Sequence, residues 1–234
     1  MWSGPRNLST AMMYAFGNRA DCTVWDEPFY AAYLHATGLN HPMRARIIAT
    51  GQIDPAKVIA RCMGPVPGAK PVFYLKHMTQ HMIPEFDRSW IADCTNVFLI
   101  RHPARVIASY AAKRDNPTLD DIGFRQQAEL FDQICQKDGS APPVLDSFDV
   151  RADPRGQLRA LCSAIGLTFD PAMLHWPQGA KSGDGIWGQH WYGSVHRSTG
   201  FAGSEGDLPE IAPALRGVCE QAERHYHRML RHRI

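Results

Sequence analysis

The sequence predicts an α/β fold in which a central parallel sheet is flanked by helices. Short apolar segments rich in β-branched and aromatic residues alternate along the chain with longer segments whose apolar residues recur at a helical period. Strands that alternate with helices pair in parallel, because each helix returns the chain to the same edge of the sheet. The length of 234 residues favours a single domain over residues 1–234, large enough to bury a core of its own.

Four segments have the character of buried strands. Each is short, is rich in β-branched, aromatic or other apolar residues, and is followed by a turn or a polar residue. A parallel sheet covered on both faces needs strands of this kind. The predicted strands are residues 23–25, 72–75, 97–100 and 144–148.

Six further segments have the pattern of helices. The second and third begin with a proline, which is favoured at the first helical position, and Asp54 is a suitable cap for the second. Ser9 or a neighbour is expected to cap the first, Gly166 to end the fifth, and Pro213 to delay the regular part of the last by a turn. The predicted helices are residues 9–18, 55–62, 103–113, 122–136, 154–165 and 209–230.

Residues 177–208 show neither a helical nor a strand period. The segment is rich in glycine, serine, histidine and aromatic residues, and a loop of this length in a compact domain is usually functional or disordered. Trp187, Trp191, Tyr192 and Phe201 argue against disorder. We therefore expect the loop to contribute to a ligand site.

The bulk composition limits the classes of partner. The formal net charge is only +2 with histidines neutral, so the overall charge does not favour a nucleic-acid partner. No run approaches the roughly 18 apolar residues of a membrane-spanning helix, so no membrane association is expected. The six cysteines form no C-x-x-C pair, and the first residues are polar rather than the apolar core of a signal peptide. These features favour a cytoplasmic protein with reduced thiols.

The first chemical motif comes directly before the first predicted helix. A helix N-terminus presents unpaired backbone N–H groups and a positive dipole end, and hydroxyl side chains and an arginine beside it complete an anion site. No glycine-lysine pair precedes the hydroxyl residues, so the Walker A pattern is absent and ATP hydrolysis is disfavoured. A capped helix after a surface turn is the alternative. The motif consists of Gly4, Pro5, Arg6, Asn7, Leu8, Ser9 and Thr10.

The second motif follows the third predicted strand. Arg101 lies at the strand end, and Ser109 lies on the helix that Pro103 begins. From these positions the two side chains would hold one phosphate group from two sides. The alternative is a strand-to-helix turn with an exposed arginine.

Together the two motifs resemble the two signatures of the sulfotransferase family. The first signature is P-[KR]-S-G-[ST]-[ST], at the 5′-phosphosulfate, and the second is R-x-P-x-x-x-x-x-S, at the 3′-phosphate. Both occur here in the family's order, with Arg6 and Arg101 about 95 residues apart. The Trp-Ser-Gly-Pro-Arg-Asn start and a Lys-His-Met segment are similar to a bacterial and plant branch whose members often carry an aminotransferase-like name, although no lysine here has a pyridoxal-phosphate context.

The resemblance implies a three-layer P-loop NTPase-like fold and a sulfotransferase activity. Such an enzyme moves the sulfuryl group of its co-substrate, 3′-phosphoadenosine-5′-phosphosulfate, to a hydroxyl or amine of a small acceptor, and it requires no metal. Trp187 would stack on the adenine or line the acceptor pocket. The residues that the resemblance places at the nucleotide are Arg6, Asn7, Leu8, Ser9, Thr10, Arg101 and Ser109, with Arg197 and Ser198 of the late loop at the 3′-phosphate.

The catalytic candidates follow from the needs of sulfuryl transfer. The acceptor needs a base, and the bridging oxygen needs cations such as Arg6. Glu27 lies just after the strand at 23–25 and resembles the base of carbohydrate-type members, while Lys76 resembles the lysine at the leaving oxygen in cytosolic members. His77 and His81 are alternative bases, and a zinc site at this histidine pair is a weaker interpretation, since no third ligand is evident.

Two departures from the family pattern keep other functions open. Asn7 and Leu8 stand where Ser-Gly is common, so the loop backbone is expected to differ where glycine allows close approach. Only three residues precede Gly4, so the strand before the loop is either shortened or begins upstream of Met1. The alternatives are a P-loop phosphotransferase that uses ATP and a non-catalytic nucleotide-binding homologue. The acceptor and the formation of a homodimer also stay open.

Overall fold

A five-stranded parallel sheet lies at the centre of the protein, in a computed structural model that describes residues 1–112 and 116–234. The order across the sheet is β2-β3-β1-β4-β5, and every neighbouring pair is parallel. The strands are β1 (Trp2–Ser3), β2 (Cys22–Asp26), β3 (Val72–Met78), β4 (Phe98–Ile100) and β5 (Val144–Asp146). The predicted parallel sheet is therefore confirmed.

Helices connect the strands and also form the C-terminal part of the chain. None of the helices in the described ranges is long and apolar enough to cross a membrane. The helices are α1 (Ser9–Gly17), α2 (Tyr30–Thr37), α3 (Arg44–Thr50), α4 (Pro55–Cys62), α5 (Pro103–Ala111), α6 (Phe124–Asp138), α7 (Ser147–Ala152), α8 (Pro154–Ala164), α9 (Gly188–Trp191), α10 (Gly193–His196) and α11 (Arg216–Leu230).

The helices cover both faces of the sheet. Consecutive residues of β4 alternate between two hydrophobic clusters, with Phe98 and Ile100 in one and Leu99 in the other. The first cluster joins the sheet to α5, α6 and α11, and the second joins it to α1 and α8. All three β4 residues are fully buried, which explains why this strand is a continuous apolar run. The protein therefore has the predicted helix–sheet–helix layers.

All four predicted strands are present, and one of them ends early. The strand predicted at 144–148 stops at Asp146, because the Asp146 side chain accepts a hydrogen bond from the Phe148 backbone N–H at 2.8 Å and thereby caps α7. A fifth strand, β1, has only two residues, yet it lies in the middle of the sheet between β3 and β4. The strand before the loop is therefore present in the sheet, paired with β3 on one side and β4 on the other.

The predicted helices agree with α1, α4, α5, α6 and α8 to within two residues, and Lys113, in the predicted range 103–113, lies outside the described residues. The last helix is shorter than predicted, because Pro213 precedes a start at Arg216. The expected cap of α1 is wrong: the capping position is Leu8, and no side chain caps this helix. Helices α2, α3, α7, α9 and α10 were not predicted.

Candidate active site

The carboxyl ends of the parallel strands meet at one edge of the sheet, where ligands of such folds usually bind. The loop after β1 leads into α1, and the turn after β4 leads into α5. Because β1 and β4 are neighbours in the sheet, these two connections lie side by side. The two sequence motifs, 95 residues apart along the chain, therefore meet in space.

The loop after β1 adopts an unusual backbone conformation. Arg6 has φ 62°, and Leu8 has φ 68° and ψ 3°, both in the left-handed region that favours glycine. A leucine thus adopts here a left-handed conformation that a glycine reaches more easily, and a difference from the family's loop backbone stays a prediction. Asn7, between them, is buried and donates from Nδ2 to the Leu99 carbonyl oxygen at 3.2 Å. This bond ties the loop to β4.

Direct hydrogen bonds connect the two motifs. Arg6 Nε donates to Ser109 Oγ at 2.9 Å, and Arg101 Nη1 donates to the Arg6 carbonyl oxygen at 2.7 Å. Burial lowers the pKa of Arg6, and the nearby Arg101 cation lowers it further. Arg101 Nε is buried and has no hydrogen-bond partner among the described residues. Two guanidinium groups held this close form a site that an anion would stabilise.

A cavity of about 390 Å³ opens between these loops and the late segment of the chain. Among the residues that the structure describes, His77, Trp187 and Arg197 are not part of its lining. Arg197 is instead exposed, and Trp187 packs edge-on against Tyr30. The sequence-predicted residues that line the cavity are Arg6, Asn7, Leu8, Ser9, Thr10, Glu27, Lys76, His81, Arg101, Ser109 and Ser198.

A buried ionic cluster forms one wall of the cavity. Lys76, at the end of β3, is 1% exposed, and its Nζ lies 2.8 Å from Asp26 Oδ1 and 2.6 Å from Glu27 Oε1. Nζ also donates to the Tyr192 hydroxyl oxygen at 2.8 Å, and the single proton of this hydroxyl is shared between Asp26 Oδ2 at 2.8 Å and Glu27 Oε1 at 3.1 Å. The ammonium group therefore has three partners, one for each of its N–H bonds.

The same cluster changes the ionisation of its members. Burial, the largest cause, and the nearby Asp26 carboxylate raise the pKa of Glu27, and together they exceed the lowering by Lys76 and Tyr192. Burial opposes the charge on Lys76, but Asp26 and Glu27 outweigh it, so the pKa of Lys76 is raised and the ammonium form is stabilised. Glu27 also has a left-handed φ of 40°, a strained conformation for a residue other than glycine. A carboxylate with a raised pKa beside a cavity is suited to act as a base.

The two candidate histidines occupy different places. His77 stacks on Trp2, with ring centroids 4.3 Å apart, and lies away from the cavity. His81 lines the cavity and stacks between Tyr30 and Tyr33, at 4.6 Å and 4.8 Å. Burial lowers the pKa of both histidines well below the usual value, so both are neutral near pH 7. Of the three candidate bases, only Glu27 and His81 line the cavity.

Sequence reasoning missed two arginines beside the second motif. Arg105 lies one turn after Arg101 on α5, and Arg151 lies on α7 after β5 and lines the cavity. Both form ion pairs with Glu205, at 3.2 Å and 2.6 Å, and Arg101 pairs with the same carboxylate. The position of Arg151 could have indicated its place in the site, because Arg151 follows the carboxyl end of β5, the strand that pairs with β4.

Asp26 and Tyr192 were also missed as members of the site. The Asp26 carboxylate accepts from Lys76, Tyr192 and the backbone N–H of Gly185, so it joins the end of β2 to the late segment. Tyr192 lies between the short helices α9 and α10, inside the segment for which the sequence predicted only a loop. That segment nevertheless contributes to the cavity, as expected.

Residues 1–112 and 116–234 contain no group of three or more histidine, cysteine, aspartate or glutamate side chains placed to hold a metal ion. In particular, His77 and His81 pack against different aromatic residues, as described above.

The chain matches one family model and is similar to two plant proteins. The family model described as a sulfotransferase domain matches residues 1–231. The chain is 31% identical to branched-chain-amino-acid aminotransferase-like protein 2 of Arabidopsis thaliana over 214 residues, which is 92% of this chain and 38% of that protein. It is 34% identical to branched-chain-amino-acid aminotransferase-like protein 1 of the same plant over 201 residues, 86% of this chain and 36% of that protein. The chain thus spans less than two-fifths of the length of these relatives.

Solved structures are also similar to the protein, and one of them covers most of its length. It is the sulfotransferase domain of the olefin synthase from Synechococcus PCC 7002, with a TM-score of 0.49 and 14% sequence identity. The match covers 94% of this chain and 92% of that one.

Proposed function

The chain belongs to the sulfotransferase domain family, and from this premise we propose that it moves the sulfuryl group of 3′-phosphoadenosine-5′-phosphosulfate to a hydroxyl or amine of a small acceptor. The observation that carries the proposal is the contact between the two motifs, in which Arg6 binds Ser109 and Arg101 binds the Arg6 carbonyl. Two arginines from neighbouring strand ends can form charge-assisted hydrogen bonds with the phosphate groups of a nucleotide that is phosphorylated at two positions.

The residues present fit such a nucleotide. Arg6 and Arg101 each lower the cost of bringing an anion out of water, and the unpartnered Arg101 Nε is a buried donor that an anion would satisfy. Ser9 and Thr10 begin α1, so their backbone N–H groups belong to the unpaired first turn of a helix. We propose that the loop and α1 hold the 5′ side, and that Arg101 and Ser109 hold the 3′-phosphate.

The chemistry of the remaining residues supports a division of roles. When bound, the donor supplies an activated sulfuryl group, while Glu27 takes the proton from the attacking hydroxyl or amine. Since all three N–H bonds of Lys76 have partners, we propose that Lys76 orients the Glu27 carboxylate rather than contacting the leaving oxygen. Arg6, at the loop after β1, is then the cation that stabilises the charge developing on the leaving side.

We propose that the acceptor enters the part of the cavity beside His81. Tyr30, His41, His81 and Trp191 line this part. Aromatic walls with a few polar atoms suit a small molecule that has a ring or an apolar body and a hydroxyl or amine.

We place the reaction in the cytoplasm, because all six cysteines are thiols.

The experiment is a transfer assay with ³⁵S-labelled donor and a pooled library of small hydroxyl and amine compounds, read by mass spectrometry. We expect labelled product that depends on the donor and not on added ATP. Magnesium-dependent turnover of ATP without sulfuryl transfer would instead establish the phosphotransferase alternative. Binding of 3′,5′-adenosine bisphosphate without transfer to any compound would establish the non-catalytic alternative.

A further inference from the structure

Three arginines from different elements surround the carboxylate of Glu205. Arg151 Nη1 lies 2.6 Å from Oε1, Arg105 Nε lies 3.2 Å from Oε2, and Arg101 Nη2 also pairs with Oε1. The Glu205 side chain is only 2% exposed. A carboxylate with three cationic partners is held much more firmly than a surface ion pair.

The segment that carries Glu205 is otherwise loosely attached. Residues 201–209 form neither helix nor strand, and the glycines on either side, Gly203 and Gly206, are exposed with open space around them. Phe201 packs edge-on against Trp176 at the start of the segment. Beyond it, the segment's hydrogen bonds in the described structure come from the same arginines: Arg151 Nε donates to the Gly203 carbonyl oxygen at 2.8 Å, and Arg105 donates to that of Gly206. Without these contacts, little in the described structure would keep the Glu205 side chain in place.

The charges at this point do not balance. Among residues 1–112 and 116–234, one carboxylate faces three guanidinium groups, which is an excess of two positive charges, and Arg101 Nε has no hydrogen-bond partner there. A phosphate ester carries up to two negative charges and three acceptor oxygens, so it matches three arginines better than a carboxylate does. Arg101 and Arg151 also line the cavity, so this group of arginines is reached from the donor site.

We propose that Arg101, Arg105 and Arg151 form an anion site in which Glu205 is an internal competitor, and that a phosphate monoester must displace its carboxylate to bind. This rests on the proposed function in one respect, which is that the phosphate belongs to the 3′ position of the nucleotide donor. Arg105 and Arg151 then become phosphate ligands, and the release of residues 201–209 accompanies nucleotide binding.

The test is isothermal titration of 3′,5′-adenosine bisphosphate into wild type, Glu205→Gln and Asp207→Asn. Glu205→Gln removes the competing charge, so we expect the association constant for the bisphosphate to rise by about tenfold. This is the rise expected if Glu205 leaves the anion site open in roughly one wild-type molecule in ten. Asp207→Asn removes the same charge two residues away on an exposed side chain and is expected to change binding by less than about twofold. Equal affinities of wild type and Glu205→Gln, or weaker binding by the variant, would overturn the inference.

A second probe separates this inference from the proposed function. Inorganic phosphate is followed by its effect on the melting temperature, and we expect a larger rise for Glu205→Gln than for wild type or Asp207→Asn. If phosphate raises the melting temperature of Glu205→Gln more than that of wild type but none of the proteins binds the bisphosphate, the proposed function fails. Competition between Glu205 and an anion is then still supported. If all three proteins bind the bisphosphate equally, only the inference fails.

Glu205→Asp replaces Glu205→Gln if the latter does not fold. Its shorter side chain is expected to give a smaller increase in affinity for the bisphosphate. An unchanged affinity would contradict the proposal.

Discussion

Lys76, Asp26, Glu27 and Tyr192 form a network whose members depend on one another. Lys76 and Asp26 are each about 1% exposed, and an isolated charge at such a position would be strongly unfavourable. The contacts of Lys76 with two carboxylates and a hydroxyl offset this cost and fix the position of Glu27. Burial and the Asp26 carboxylate raise the pKa of Glu27, and the contacts with Lys76 and Tyr192 limit this rise.

The first prediction concerns the pH dependence of Glu27. A base must be ionised, so kcat/KM falls as the pH drops through the Glu27 pKa, and burial places this limb above the usual glutamate value of about 4.3. The Tyr192 hydroxyl donates to the Glu27 carboxylate and lowers its pKa, so Tyr192→Phe is expected to move the limb to higher pH. Glu27→Gln is expected to lower kcat about 100-fold or more.

Glu85→Gln is the control for this prediction, because Glu85 is an exposed carboxylate. A Glu27→Gln variant that keeps wild-type kcat, or a limb that Tyr192→Phe leaves in place, would remove Glu27 from the role of base. His81 would then be the remaining candidate that lines the cavity.

Sequence patterns indicated the residues of the site that belong to local motifs. Arg6, Ser9, Thr10, Arg101 and Ser109 stand beside helix starts and strand ends, and all of them line the cavity. Residues whose role depends on contacts distant in sequence have weaker signals, and for Arg151 the position after a strand end was the one available. Arg151 and Tyr192 illustrate this, since their partners Glu205 and Asp26 lie 54 and 166 residues away. The roles of all these residues in nucleotide binding and in catalysis stay predictions.

At the level of elements, the loop after β1 is shaped by its surroundings as much as by its own residues. Two of its residues, Arg6 and Leu8, adopt left-handed conformations that are unfavourable for them. The bond from Asn7 to β4 and the bond from Arg101 to the Arg6 carbonyl oppose a return to ordinary backbone angles. The loop therefore keeps a left-handed backbone at Leu8 although this residue is not a glycine.

The second prediction concerns the approach of this loop to the start of α6. A Cβ at Gly4 would lie 2.5 Å from the Ile122 carbonyl oxygen, a backbone atom that cannot move aside easily. Gly4→Ala is therefore expected to lower the free energy of unfolding by about 1–3 kcal/mol, measured by urea denaturation. Gly217→Ala on α11 has open space and is expected to leave stability unchanged or slightly higher. Equal stabilities of the two variants would show that the loop is not packed as described.

The elements that could be predicted are those with a local signal. Proline starts, an aspartate cap and apolar periodicity located α4, α5 and α8, and apolar runs located β2, β3 and β4. Strand β1 has two residues, and its neighbours β3 and β4 hold it in the sheet, so no pattern of its own revealed it. Helix α2 is mostly buried and apolar on all sides, without the one-sided stripe that marks a surface helix.

At the scale of the whole molecule, function depends on the distribution of charge and not on its sum. The net charge of +2 gives no indication of an anion site. The strand order places the connections after β1, β4 and β5 next to one another, and these connections bring Arg6, Arg101, Arg105 and Arg151 to one end of the sheet. The fold thereby collects cations that are spread over 146 residues of the sequence.

The central claim is that this collection of cations binds a nucleotide phosphorylated at both the 3′ and 5′ positions. The most direct measurement is isothermal titration of wild type with 3′,5′-adenosine bisphosphate and with 5′-AMP. Because charge-assisted hydrogen bonds contribute about 1.5–3 kcal/mol each, the bisphosphate is expected to bind at least about tenfold more tightly.

Arg101→Gln is expected to remove most of this difference, whereas Arg231→Gln, at an exposed position near the end of the chain, is expected to keep it. A wild-type protein that binds both nucleotides with equal affinity would contradict the account.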